Sequence, residues 1–160
     1  MSSAAELRFR IQAPNALVRT TALFALDGPS EQFLRQLADR SWNHARFLKT
    51  AGGDAGAAVD AEDGWVWTLD GERASLAAEI DAADQVIMVA GPGGRAAAAT
   101  PIGRECSRKR VTTTGLIVGA ADASDVDVSK TLAQLRPWSL MVVMANSDDY
   151  IGDMMVALRV

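Results

Sequence analysis

Cysteine is nearly missing from this 160-residue chain, where Cys106 stands alone. One thiol forms no disulfide within the chain. With His44 the single histidine, no Cys/His set for a structural zinc site can be assembled either. An excess of positive charge is also missing. Lys and Arg total 16 against 20 Asp and Glu, a net charge of −4. No global basic field then exists to hold nucleic acid or anionic lipid, and neither nucleic acid nor membrane is an expected partner. Long apolar runs are missing too. None approaches the ~20 residues of a membrane helix, and the opening "MSSAAELRFRIQAPN" lacks the apolar centre of a signal peptide. The expected location is the cytoplasm. Proline is scarce, with 5 residues, while 49% of residues are apolar and 22% charged, a globular composition. The length suits one domain over residues 1–160 with a core that needs no staples. Alanine richness and preference for Arg over Lys suggest a GC-rich bacterial genome.

What is present reads as alternating strands and helices. In "LRFRIQ", Leu7, Phe9 and Ile11 alternate with Arg8, Arg10 and Gln12, the pattern of a half-buried peripheral strand. The apolar segment Ala16–Leu26 ends at Asp27, Gly28 and Pro29, and Pro29 suits a helix first turn. Phe33, Leu34, Leu37 and Ala38 then share one helical face. Ala45–Thr50 reads as a short strand, and the small, acidic stretch Ala51–Asp63 as a surface loop. Trp65–Leu69 is a strand stopped by the turn pair Asp70-Gly71, with a helix expected over Glu72–Ala83. Three strand–helix units follow: a strand at Gln85–Ala90 and a helix to about Arg110; a strand at Val111–Val118 and a helix at Val126–Arg136, bounded by Pro137; and a strand at Leu140–Ala145 and a helix from about Asp148. These strands are continuous apolar runs, so burial on both faces is expected. The fold class implied is α/β, three-layered, with a mainly parallel sheet, Rossmann-like in the broad sense.

The segment with the strongest chemical signal is "AGPGGRAAAATP". Gly91, Gly93 and Ala96 fit G-x-G-x-x-[GA] between an expected strand and an expected helix. Glycines let the backbone approach an anion, and free amides at a helix start supply donors and positive dipole. Arg95 adds a charge-assisted contact. Thr100-Pro101 reads as an N-cap and first-turn proline, which lengthens the loop to Gly91–Thr100. The acidic residue that dinucleotide folds place about twenty residues on is matched only loosely by Asp122. The bland reading is equally available: glycines and alanines let a helix pack closely on a sheet.

"ADQVIMVAGPGGRAAAATPIGREC" followed by "VTTTGLIVGA" resembles the glycine-loop region of the FtsZ/tubulin-like GTPases. There an Ala-Asp pair leads a buried strand into Ala-Gly-x-Gly-Gly, a small-residue loop, a proline, a helix and a strand. The resemblance covers Ala83–Ala120 and implies an α/β fold and nucleotide-scale ligands. It departs where "RAAAA" replaces the family's Gly-Thr run, because alanine has no hydroxyl and tolerates positive φ poorly.

Acids follow several expected strands: Asp27, Asp70, Asp122 with Asp125, and Asp148 with Asp149. At the carboxyl ends of a parallel sheet they suit Mg²⁺ beside a phosphate, or they are helix caps and turn formers. Arg104, Arg108, Lys109 and Arg110 cluster toward a helix C-terminus, where the dipole favours cations. They would also lower the pKa of a nearby Cys106 thiol. His44 lacks a nucleophile-elbow motif beside it, and the four tryptophans read as core or interface residues.

The expected function is binding of a nucleotide or other phosphorylated small molecule, with Mg²⁺ as companion ion, through Gly91, Gly93, Gly94, Arg95, Thr100 and Asp122. No catalytic residue and no resident metal site are assigned, and whether the chain is an enzyme stays open. The alternative, from a different class, is a non-enzymatic interaction or regulatory protein that self-associates as a homo-oligomer. A thiol enzyme using Cys106 is a third reading.

Overall fold

The computed structural model describes residues 20–40, 42, 44–50, 57–145, 153, 155 and 156. In chain order the elements are β1 (Thr21–Ala25), α1 (Gly28–Ala38), β2 (Ala45–Lys49), α2 (Ala57–Glu62), β3 (Trp65–Thr68), β4 (Arg73–Ser75), α3 (Leu76–Asp81), β5 (Gln85–Ala90), α4 (Ala99–Lys109), β6 (Thr112–Val118), α5 (Asp125–Leu135) and β7 (Met141–Ala145). Short 3₁₀ turns at Ala120–Asp122 and Arg136–Trp138 bracket α5. The expected strand at Leu7–Gln12 and the acids Asp148 and Asp149 lie outside the described residues. The expected C-terminal helix is seen at Asp153, Met155 and Val156, which are helical.

The strands form one seven-stranded sheet in the order β4-β3-β2-β1-β5-β6-β7. β2, β1, β5, β6 and β7 pair in parallel, while β3 and β4 run antiparallel at one edge. The three-layer, mainly parallel α/β fold is therefore as expected. Continuous apolar runs put β1 and β5 at the centre, buried at every residue. One face packs Phe24, Met88, Ile102, Ile117 and Leu135. The other packs Leu23, Leu34, Leu37, Ile87 and Leu116, with Met155 from the C-terminal segment. No helix among the described residues is long and apolar enough to cross a membrane.

Several boundaries differ from the sequence reading. The stretch expected to be loop through Asp63 contains α2, whose Ala61 is buried in the first core. The helix expected from Glu72 starts later, because Arg73–Ser75 pairs with β3 as an antiparallel hairpin around Gly71, at φ +92°. Strand pairing satisfies β3's outer backbone groups, and the Ser75 hydroxyl then accepts from the Ala78 amide as N-cap of α3. α4 begins at Ala99, with Thr100 inside its first turn, since the Ala99 and Thr100 amides donate to the Ala96 and Ala97 carbonyls. β7, expected to be buried on both faces, is an edge strand with Met141 and Met144 exposed by about half. An apolar run reports hydrophobicity, whereas strand order decides which run lies at the rim.

Candidate functional site at the glycine loop

The chain leaves β1 toward β2 on one side and reaches β5 on the other. The crevice between the carboxyl ends of β1 and β5 is thus the place where strand order reverses, the usual ligand position in such sheets. Two segments border it: Leu26–Ser30 after β1, and the loop from Gly91 after β5.

The first segment is closed on itself. Asp27 is the N-cap of α1 and forms a capping box with Ser30: the Ser30 amide donates to Asp27 Oδ1 at 3.1 Å and the Asp27 amide donates to Ser30 Oγ at 3.1 Å. Pro29 occupies the first turn. The second oxygen of the same carboxylate, Oδ2, accepts from the Gly91 amide at 2.8 Å. Asp27 thus ties the two loops across the crevice. Gly91 lies close against Pro29: an added Cβ would come within 3.0 Å of Pro29 Cβ, so a larger residue requires Pro29 to give way by a few tenths of an ångström.

The second segment is bonded to α5. The Gly93 amide donates to the Asp127 carbonyl at 3.1 Å, the Gly94 amide to Thr131 Oγ1 at 3.0 Å and the Ala96 amide to Gln134 Oε1 at 2.8 Å. In return, Thr131 Oγ1 donates to the Gly91 carbonyl at 2.8 Å and Gln134 Nε2 to the Gly94 carbonyl at 2.9 Å. Gly93 and Gly94 take φ of +120° and +74°, which lets successive amides turn toward the helix. The amides of a phosphate cradle are therefore present but engaged within the chain. Thr131 and Gln134 are the residues that sequence reasoning missed. The available signal was a pair of polar side chains three apart on the inward side of α5, one of them, Thr131, fully buried.

The remaining candidates are placed separately. Arg95 is exposed on the loop and Thr100 is half-buried in α4. Asp122 is exposed in the 3₁₀ turn after β6. The pattern G-x-x-x-x-G-K-[ST] of a phosphate loop occurs nowhere in the chain. No group of three or more His, Cys, Asp or Glu among the described residues could hold a metal ion.

Beside the crevice, Glu31 receives Arg35 at 2.8 Å and Lys49 at 3.0 Å. Burial raises its carboxyl pKa, but the two cations outweigh it and hold the group below the usual carboxylate range. On α4 the basic cluster is met by acids: Arg104 by Glu62 at 3.0 Å, Arg108 by Glu105 at 2.6 Å and Lys109 by Asp81 at 2.6 Å. Arg110 caps the helix in a left-handed conformation. A shallow cleft of about 130 Å³ opens between Glu62, Leu76, Pro101 and Arg104, bordered by these ion pairs.

Cys106 points into the core at 1% exposure, and burial pushes its thiol up to about 11 despite a contact with Thr113 that favours the thiolate. This is the reverse of an activated thiol. Iodoacetamide at pH 8 is expected to label native protein far more slowly than a free thiol, with full reactivity after denaturation. Mass spectrometry of timed samples checks this, and rapid native labelling would restore the thiol reading.

No family model matches the chain, and no curated protein matches it. A solved structure does: the translation elongation factor SelB from Methanococcus maripaludis in complex with the GTP analogue GppNHp. The TM-score is 0.50 at 9% identity, over 88% of this chain and 33% of that factor. The chain thus spans a third of that protein's length, and the likeness is one of fold.

Proposed function

We propose that this chain is a non-catalytic interaction or regulatory domain built on a nucleotide-binding type of α/β fold. The observation that carries this reading is the engagement of the crevice amides. Asp27, Asp127, Thr131 and Gln134 take the donors of Gly91, Gly93, Gly94 and Ala96. A phosphate entering there must displace four hydrogen bonds and approach the Asp27 carboxylate. Replacing bonds already made leaves little net gain for the ligand. Like-charge approach opposes it further.

The second reading keeps a nucleotide or other phosphorylated small molecule, with Mg²⁺, at Gly91–Thr100. It is supported by a fold shared with a factor solved with a GTP analogue and by the resemblance of Ala83–Ala120 to the FtsZ/tubulin-like loop. In it Gly91, Gly93 and Gly94 swing away from α5, Arg95 and Thr100 contact phosphate, and Asp122 meets a sugar or the ion.

A thermal-shift series with GTP, ATP, NAD and FMN, each with and without Mg²⁺, separates the two. A ligand at a hundred times its Kd stabilises by about 2.7 kcal/mol, a shift of several degrees in a domain of this size. The interaction reading expects no shift at millimolar ligand. A saturable shift that Gly93→Val abolishes would establish the nucleotide reading in its place.

A further inference from the structure

We propose that α5 is a latch: its residues 125–134 and the glycine loop open together as one unit while the sheet stays folded. The two segments are bound chiefly to each other. The amides of Gly93, Gly94 and Ala96 end on Asp127, Thr131 and Gln134 of α5. Two bonds return, from the Thr131 hydroxyl to the Gly91 carbonyl and from the Gln134 side-chain amide to the Gly94 carbonyl. The approach is close, since a Cβ on Gly94 would lie 2.9 Å from Lys130 Cβ.

An apolar anchor is what α5 lacks along this length. α1 buries Leu34 and Leu37, and α4 buries Ile102 and Cys106. α5 buries only Thr131 and Leu135, so within residues 125–134 the one buried side chain carries a hydroxyl. Leu132 packs against the core only in part, and Val126 is 64% exposed. Hydrophobic stabilisation follows the apolar area removed from water, and this stretch of helix removes little. Among the described residues its hold comes from the bonds to the loop, which exchange for bonds to water at small net cost. Segments with few buried apolar contacts are the ones that open below the free energy of global unfolding.

The unit has definite ends. On the N-terminal side Gly119, at φ +72°, leads into the 3₁₀ turn Ala120–Asp122, which buries no residue. On the C-terminal side Leu135 is fully buried and Trp138 rests on Gly103, so both keep their places. In the loop the boundary is Gly91, whose amide is held by Asp27 and not by α5. Opening therefore releases the amides of Gly93, Gly94 and Ala96 together and leaves that of Gly91 bound. The latch goes beyond the interaction-domain reading and does not depend on it.

Native-state hydrogen exchange of the full chain, followed residue by residue by NMR, tests this. The amides of Gly93, Gly94, Ala96 and residues 129–134 are expected to share one protection factor, about a hundredfold or more below that of β1 and β5. The Gly91 amide should stay with the strands. Thr131→Val removes the hydroxyl at nearly constant shape and should lower the shared factor about tenfold, in the loop and in α5 alike. Ile87→Val lies in the core on the far face of the sheet. It should lower the protection of β1 and β5 about tenfold and leave the latch amides unchanged, because opening the latch does not expose Ile87. This second comparison holds even if Thr131→Val does not fold. Latch amides that exchange as slowly as the strands, or that follow them in Ile87→Val, would mean that α5 opens only with the whole domain, and would overturn the latch. Unequal factors in loop and helix, a Gly91 amide that follows the loop, or a Thr131→Val effect confined to Gly94 would overturn it too.

Discussion

Asp27→Ala is expected to destabilise the protein by about 3 kcal/mol, the sum of two losses that share one carboxylate. Loss of an N-cap oxygen costs roughly 1 kcal/mol, here for the Ser30 amide of α1. The Gly91 amide then loses its acceptor at a buried position, a penalty of about 1–3 kcal/mol. In a domain of this size each kcal/mol lowers Tm by about 2–4 °C, so a fall near 10 °C is expected. Asp27→Asn keeps one oxygen acceptor and should fall between. Urea titration checks this: the midpoint should move while the slope stays that of the wild type. An alanine variant within about 0.5 kcal/mol of the wild type would mean that the carboxylate does not bridge the two loops in solution.

Gly103→Ala is expected to be nearly as damaging, although alanine in a helix is ordinarily the better residue. Gly103 lies in the middle of α4, buried, where Trp138 packs on its bare backbone. An added Cβ would lie 2.3 Å from Trp138 Cβ, 2.5 Å from Cγ and 2.7 Å from Cδ2. Because the nearest atom is the tryptophan Cβ, no rotation of the ring relieves the overlap. The 3₁₀ turn Arg136–Trp138 must move as a whole, and Pro137 stiffens it. Overpacking typically costs 1–3 kcal/mol, more where backbone must shift. Alanine's helix propensity returns about 1 kcal/mol, leaving a net loss of about 2 kcal/mol. Gly28→Ala is the matched control, since its Cβ would meet nothing within 4 Å. Thermal melts of the two variants should differ clearly, and equal melts would show that Trp138 does not rest on α4.

These two sites mark the limit of what a linear reading reaches. The helical face of α1 and the apolar runs of β5 and β6 were legible in the sequence because spacing and hydrophobicity are properties of neighbouring residues. Pro29 and Asp27 announced the start of α1 for the same local reason. The glycine loop was legible as a break after a buried strand. Its partners were not. Gly91 meets Asp27 across 64 residues of chain, and Gly94 meets Thr131 across 37. Neither pairing leaves a periodic trace.

The sequence by itself determined the fold class: hydrophobic period, turn residues and caps are local, and together they admit few arrangements other than a layered α/β sheet. Only the tertiary structure decided what the crevice does with its amides, which apolar strand lies at the rim, and why Gly103 carries no side chain. Each depends on distant segments being brought to one place. A hydrogen-bond donor reads the same in the sequence whether its acceptor is a ligand or its own chain.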